Sequence, residues 1–206
     1  MTKSENVLSG EAEKKIIEAA TIVFVEKGRT GASMQDIADE AGINRTLLNY
    51  YFRSKDKLFT TVFDKVIMSL LLEAIEVLNS DKDILVKFDS FIDVYINGLL
   101  KNPHIPVFIL NELTGRPDHM IRLFKSSGLR ISNFHKEIQE AMDEGRIIHM
   151  ETSQLIINFI SMIIFPFAAK PIVSGMILSE QEVEFDEFMK DRIPSLKKYF
   201  LKSITP

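Results

Sequence analysis

The sequence predicts an all-α protein, with an N-terminal three-helix domain containing a helix-turn-helix and a helical bundle behind it. Apolar residues recur at helical spacing almost from end to end. Glycine and proline are scarce, 9 and 7 in 206 residues, and no long alternating run of β-branched residues suggests a sheet. Between Met34 and Tyr51, small, turn-forming and apolar residues stand where two short helices meeting at a sharp angle need them.

In the first helix Ile16, Ala20, Val23 and Phe24 follow i, i+4, i+7, i+8 and form one apolar face. Gly28 reads as its C-terminal stop. Ser33-Met34-Gln35-Asp36 resembles a capping box that opens the second helix, with Asp36 in place of the usual Glu or Gln. Gly42 ends it, and Asn44 caps a third helix that stops near Phe52. Ser54 caps a fourth, with Asp56 in its first turn, reaching to about Asn79. Further helices are expected near 83–101, 104–114, 118–144, 151–170 and 180–203. Their breaks are Asp81, Asn102-Pro103, Gly115-Arg116-Pro117, Gly145 and the Pro171 to Gly175 stretch, and Pro194 is expected to kink or divide the last segment. The domain boundaries follow as 1–54, with a short flexible tail at about 1–10, and 55–206.

Hydrophobic content of 46% and charged content of 26% suit a folded domain. The absence of cysteine excludes disulfides, thiolate metal sites and cysteine nucleophiles, and it fits a cytoplasmic location. The N-terminal MTKSENVLSGEAEKK has no apolar core of a signal peptide. A net charge of -4 excludes a generic basic coat for nucleic acid, so any such contact must come from a local cluster. One exists: Arg45, Arg53, Lys55 and Lys57 face the single acid Asp56 between Asn44 and Lys57.

In the helix-turn-helix, Ala38 is small where the next helix must cross, and Gly42 tolerates the positive φ of a tight turn. Ile37 and Ala41 complete the inner face of the first helix, and Ile43 and Leu48 fill the angle. Arg45, Thr46, Asn49 and Tyr50 are then left outward. That face pairs a guanidinium suited to guanine with an amide suited to adenine, the chemistry of a major-groove reading helix.

The run from about Glu13 to Phe63 resembles the DNA-binding domain of the TetR family. The resemblance lies in Ile17-x-x-Ala20, Phe24-x-x-x-Gly28, Ser33-Met34-x-x-Ile37-Ala38, Ala41-Gly42-Ile43 and Leu48-x-x-Tyr51-Phe52-x-Ser54-Lys55-x-x-Leu58-Phe59. It implies that Ser33 caps its helix and touches a phosphate, and that Gln35 reaches a base edge. It implies that Arg45, Thr46 and Asn49 face bases, with Tyr50 on bases or backbone. Tyr51 and Lys55 would hold phosphates. Arg29 stands where the family usually has an aromatic residue, and Thr46, Leu47 and Asn49 depart from its common glycine, threonine and tyrosine. Those last positions read the operator, so the resemblance does not extend to its sequence.

Leu155 to Ala169, LIINFISMIIFPFAA, is apolar on nearly every side, too short for a membrane span and interrupted by Asn158, Ser161 and Pro166. One side against its own core and another against a second subunit accounts for that pattern. The resemblance implies the same, a homodimer with a four-helix interface. Leu155, Phe159 and Ile163, with Phe185, Phe188 and Leu196 of the last segment, are the expected interface residues. The 15 Phe and 9 Met suggest an adaptable apolar pocket for an unknown small ligand. Tyr95, Phe108, Glu112, His135, Phe159 and Met162 are its expected lining, with Asn111, Gln139 and Asn158 as further polar candidates. The expected partners are thus double-stranded DNA carrying a pseudo-palindromic operator, a second copy and this ligand, with no membrane. The expected role is a ligand-released repressor.

Two rival classes are a small helical enzyme and a helical interaction module without DNA binding. His104, His119, His135 and His149 include no pair at i, i+3 or i, i+4. No Gly-rich phosphate loop, nucleophile elbow or Glu-x-x-His motif occurs. No catalytic residue, metal or cofactor is therefore expected. An interaction module leaves the outward Arg45, Thr46, Asn49 and Tyr50 without a purpose.

Overall fold

The structure, a computed structural model, describes residues 3–102 and 105–206, and the side chains of these apart from 3–10, 111 and 114. His104 and the side chain of Asn111 lie outside the described residues. The protein is 83% helical, and no strand occurs among the described residues. It divides into two compact units, Met1–Met68 and Ser69–Pro206. The division falls inside the fourth helix, whereas the sequence places the boundary at that helix's first residue.

The first unit holds α1 (Lys3–Gly31), α2 (Met34–Glu40), α3 (Arg45–Tyr51) and the first part of α4 (Lys55–Asn79). α1 begins within the stretch expected as a tail. Gly28 interrupts α1 at φ 66° and ψ 173°, so the expected stop is a break followed by one more turn. Ile16, Ala20 and Phe24 are fully buried with Ile37, Leu48, Leu58 and Phe63. The Phe24 ring meets Phe59 edge-on at 5.0 Å, which fixes α1 against α4.

The second unit continues with α5 (Ile84–Lys101), α6 (Ile105–Gly115), α7 (Pro117–Ser126), α8 (Ile131–Asp143) and α9 (Thr152–Ala168). A short α10 (Lys170–Ile172), a π-helical turn (Val173–Leu178) and a 3-10 turn (Ser179–Gln181) lead to α11 (Phe185–Ile204). Phe88 of α5 is its centre, with Phe134 at 5.7 Å, Phe159 at 4.8 Å and Phe200 at 5.1 Å from α8, α9 and α11. At the edge of that core, Lys197 of α11 bonds Asp89 and Asp93 of α5.

The single helix expected over 118–144 is two, because the chain turns at Gly128 with φ 85°. The side chain of Asn79, the last residue of α4, holds that turn. Its amide donates to the Gly128 carbonyl at 2.8 Å, and its oxygen accepts from the Arg130 N–H at 3.1 Å. Pro194 does not divide α11. Its missing N–H leaves the Lys190 carbonyl unpaired within the helix, and both residues are exposed, so water can take that bond. Pro166, itself buried, poses the same problem in α9, where the freed carbonyl of Met162 is half-buried. There the Arg192 guanidinium of α11 donates to the freed Met162 carbonyl at 3.1 Å. Among the described residues no single helix is long and apolar enough to cross a membrane.

Candidate nucleic-acid interface and ligand pocket

The position of α3 follows from local chemistry at the start of α2 and at the turn between the two helices. Ser33 and Asp36 form the capping box read in the sequence: the Asp36 N–H donates to Ser33 Oγ at 3.1 Å, and the Ser33 N–H donates to Asp36 Oδ2 at 2.8 Å. Lys27 of α1 donates to the same carboxylate at 2.6 Å. These bonds hold the Asp36 carboxyl well below the usual carboxylate range, the Lys27 bond being the largest cause, and they raise Lys27 in turn. Gly42 makes the turn at φ 64°, and Asn44 caps α3 through the Leu47 N–H at 2.8 Å. Ala38 and Leu48 are fully buried, Ile43 is half-buried, and Ala41 of the expected inner face is also only half-buried.

With Leu48 inward, Arg45, Thr46, Asn49 and Tyr50 are all exposed on one side of α3, Tyr50 at 75%. Leu47 is exposed as well. Tyr51 is half-buried and meets Tyr50 edge-on at 5.5 Å. Ser33 and Gln35 are exposed, and the Gln35 amide donates to Asp39 at 2.7 Å. Lys55 is half-buried at the start of α4, where its ammonium donates to the Ala32 carbonyl at 2.9 Å. Arg29 stands in an aromatic position and acts partly as one. Its guanidinium lies 5.6 Å from the Phe59 ring centroid while bonding Asp56 at 2.8 Å. Asp56, the acid within the cluster of Arg45, Arg53, Lys55 and Lys57, is thereby paired with a cation from outside that cluster.

The second unit contains an apolar cavity of about 230 Å³. Tyr95 and Phe159 of the expected lining border it, joined by Leu71, Phe91, Phe124 and Phe134. Phe108, Glu112, His135 and Met162 are not among its lining residues. Glu112 is buried in a different cluster, where its carboxylate forms an ion pair with Arg116 at 3.0 Å and bonds the His119 ring nitrogen at 2.9 Å. Gln139 and Asn158 are exposed. Leu71, Ala74, Ile75 and Leu78 form an apolar stripe on the distal part of α4, and the last three are not expected at the cavity from the sequence. Their helical spacing is visible in the sequence, but nothing there tells a cavity wall from packed core.

The expected interface residues Leu155, Phe159, Ile163, Phe185 and Leu196 are buried inside the unit, and Phe188 is half-buried. Core packing has claimed them. Other apolar residues of the same region are exposed: Ile157 and Phe165 on α9, Ile172 and Met176 just after it, and Tyr199 on α11. Periodicity marked both helices as apolar but not which of their apolar faces turns inward.

Residues 16–62 match the tetR family of bacterial regulatory proteins. Over 71 residues, 33% of the chain, the sequence is 34% identical to the HTH-type transcriptional repressor NicS of Pseudomonas putida, covering 34% of that protein. Over 61 residues, 30% of the chain, it is 34% identical to the HTH-type transcriptional activator FasR of Mycolicibacterium smegmatis, covering 28% of that protein. The matched part thus spans about a third of the length of these curated relatives. The fold is similar to that of the fatty acid degradation regulator FadR from Bacillus halodurans, with a TM-score of 0.65 and 15% identity over 91% of this chain and 93% of that one.

Proposed function

We propose that residues 16–62, which match the tetR family, form a DNA-binding domain of that kind, and that the chain is a homodimeric transcriptional repressor released from its operator by a small apolar ligand. The observation that carries the DNA-binding reading is the outward face of α3. Four side chains able to bond or stack with bases are exposed together, while Leu48 anchors the helix from behind. Arg45, Thr46 and Asn49 read base edges, and Tyr50 reads bases or backbone. Ser33, Tyr51 and Lys55 hold phosphates, and Gln35 reaches a base edge.

A single helix of this length reads few base pairs, so useful specificity needs two copies on a pseudo-palindromic site. The exposed Ile157, Phe165, Ile172 and Met176 supply apolar surface for a second copy. Repression rather than activation is favoured because occupying an operator needs only this DNA-binding face. Activation needs a further surface for the transcription machinery.

Release by ligand rests on α4. It is one continuous helix from Lys55 to Asn79, and its distal residues Leu71, Ala74, Ile75 and Leu78 wall the cavity. A ligand pressing on that wall favours one placement of α4 over another, and the helix begins at the proposed phosphate contact. A shift assay with genomic fragments over a range of salt tests the function. Bound fragments sharing a two-fold motif are expected, and binding without any sequence preference overturns the proposal.

A further inference from the structure

Resting on the reading that the second unit binds a small molecule, we propose that this molecule is uncharged and medium-sized, with a single polar head that hydrogen-bonds the Tyr95 hydroxyl. The described residues that line the cavity bring Leu, Ile, Ala and Phe side chains, and Tyr95 brings the only polar side-chain atom among them. Among the described residues no lysine, arginine or histidine lines it. The buried Lys87 is committed elsewhere, to Glu137 and the Leu78 carbonyl, and of the half-buried cations Arg116 pairs with Glu112 and Arg192 donates to the Met162 carbonyl. A carboxylate or phosphate taken into this space would lose its water with no counter-charge to replace it.

Tyr95 is 6% exposed, and its hydroxyl is the polar side-chain group that the described lining residues offer to a bound molecule. A buried phenol normally finds a hydrogen-bond partner, and a polar atom of a bound molecule supplies one. The ring stacks on Phe91 at 5.1 Å with an interplanar angle of 11°, which fixes where the hydroxyl sits. Burial pushes this phenol up to about 12, so it stays a neutral donor and acceptor at physiological pH.

Size follows from volume. An engineered apolar cavity of about 150 Å³ holds a benzene molecule. The present cavity of about 230 Å³ therefore suits roughly ten non-hydrogen atoms. Phe124 and Ile131, on either side of the α7–α8 turn, line it while remaining partly exposed, which puts its mouth at that turn.

Isothermal titration of the full chain with octanol, octanoate and butylbenzene at neutral pH tests this. The three probes match in size but carry a neutral head, an anionic head and no head. Octanol and butylbenzene are expected to bind, with octanoate weaker than octanol by about a hundredfold or more. Tyr95→Phe is expected to weaken octanol about three- to tenfold and leave butylbenzene unchanged, which also checks that the variant is folded. Octanoate binding as tightly as octanol places the head in water at the mouth and overturns the proposal. So does an equal loss of octanol and butylbenzene in Tyr95→Phe, or no binding of any probe by protein that still binds DNA. If octanol binds as expected but leaves DNA affinity unchanged, the pocket chemistry stands and the ligand-release reading falls.

Discussion

Individual side chains divide into those proposed to read DNA and those that position the readers. Arg45→Ala or Asn49→Ala is expected to weaken specific binding by about 1–3 kcal/mol and relax preference at particular base pairs in a binding-site selection. Lys55 has two tasks to separate, since its ammonium also bonds the Ala32 carbonyl. Lys55→Gln can keep a donor for that carbonyl while removing the charge. It is expected to weaken binding to all sequences and lower the salt slope by about one, and an unchanged slope with altered base preference contradicts the phosphate role. Asp36 carries a pH prediction. Its folded-state pKa is depressed below 3.8, so the stabilisation it gives is present above that value and is lost as pH falls toward the lower, folded value. Carboxyl-carbon NMR should show Asp36 titrating below 3.8, and Asp36→Asn should remove that part of the acid dependence. Arg192 is a structural counterpart. Arg192→Met leaves the Met162 carbonyl in α9 without its donor, and a loss of about 1–3 kcal/mol in denaturant unfolding is expected.

Among the elements, α4 matters most because its ends do different work. Lys55 begins it within the first unit, and Asn79 ends it with the paired bonds that hold the α7–α8 turn at the cavity mouth. Asn79→Ala removes both bonds at an exposed site. It is expected to cost only about 1 kcal/mol of stability but to speed ligand association and dissociation together. Stopped-flow rates that match the unmodified protein contradict a gating role for the turn. The helix-turn-helix was legible in the sequence because its determinants are local: a cap, a glycine with positive φ, and small residues at a crossing. The split of 118–144 was less legible. Gly128 alone did not signal a break, and the side chain that stabilises the turn comes from Asn79, far away in sequence.

At the level of the whole molecule, the proposed function requires two copies. Sedimentation at micromolar concentration is expected to give a dimer, and Phe165→Glu, at a residue 64% exposed, is expected to shift it to monomer with helical content unchanged. A monomeric unmodified protein contradicts the two-fold operator. A dimer contacting two half-sites loses most of its specific affinity when the spacing of its reading helices no longer matches. Coupling between sites is reciprocal, so bound operator should weaken ligand binding by the factor that ligand weakens operator binding. Equal ligand affinity with and without operator rules out release by this route.

The sequence by itself determined the all-helical class, the three-helix domain with its turn, and the outward set Arg45, Thr46, Asn49 and Tyr50. Each depends on residues within a few turns of one another, and a period of 3.6 assigns them to faces directly. The tertiary structure alone decided which apolar residues of α9 and α11 are core and which remain on the surface. It also decided that Arg192 repairs the break made by Pro166, and that Tyr95 rather than Glu112 or His135 brings the polar atom to the cavity. A helix apolar on several sides carries no mark of which side faces in. That choice is made by the shapes of α5 and α8, which pack Phe88 against both Phe134 and Phe159 and leave Ile157 and Phe165 outside.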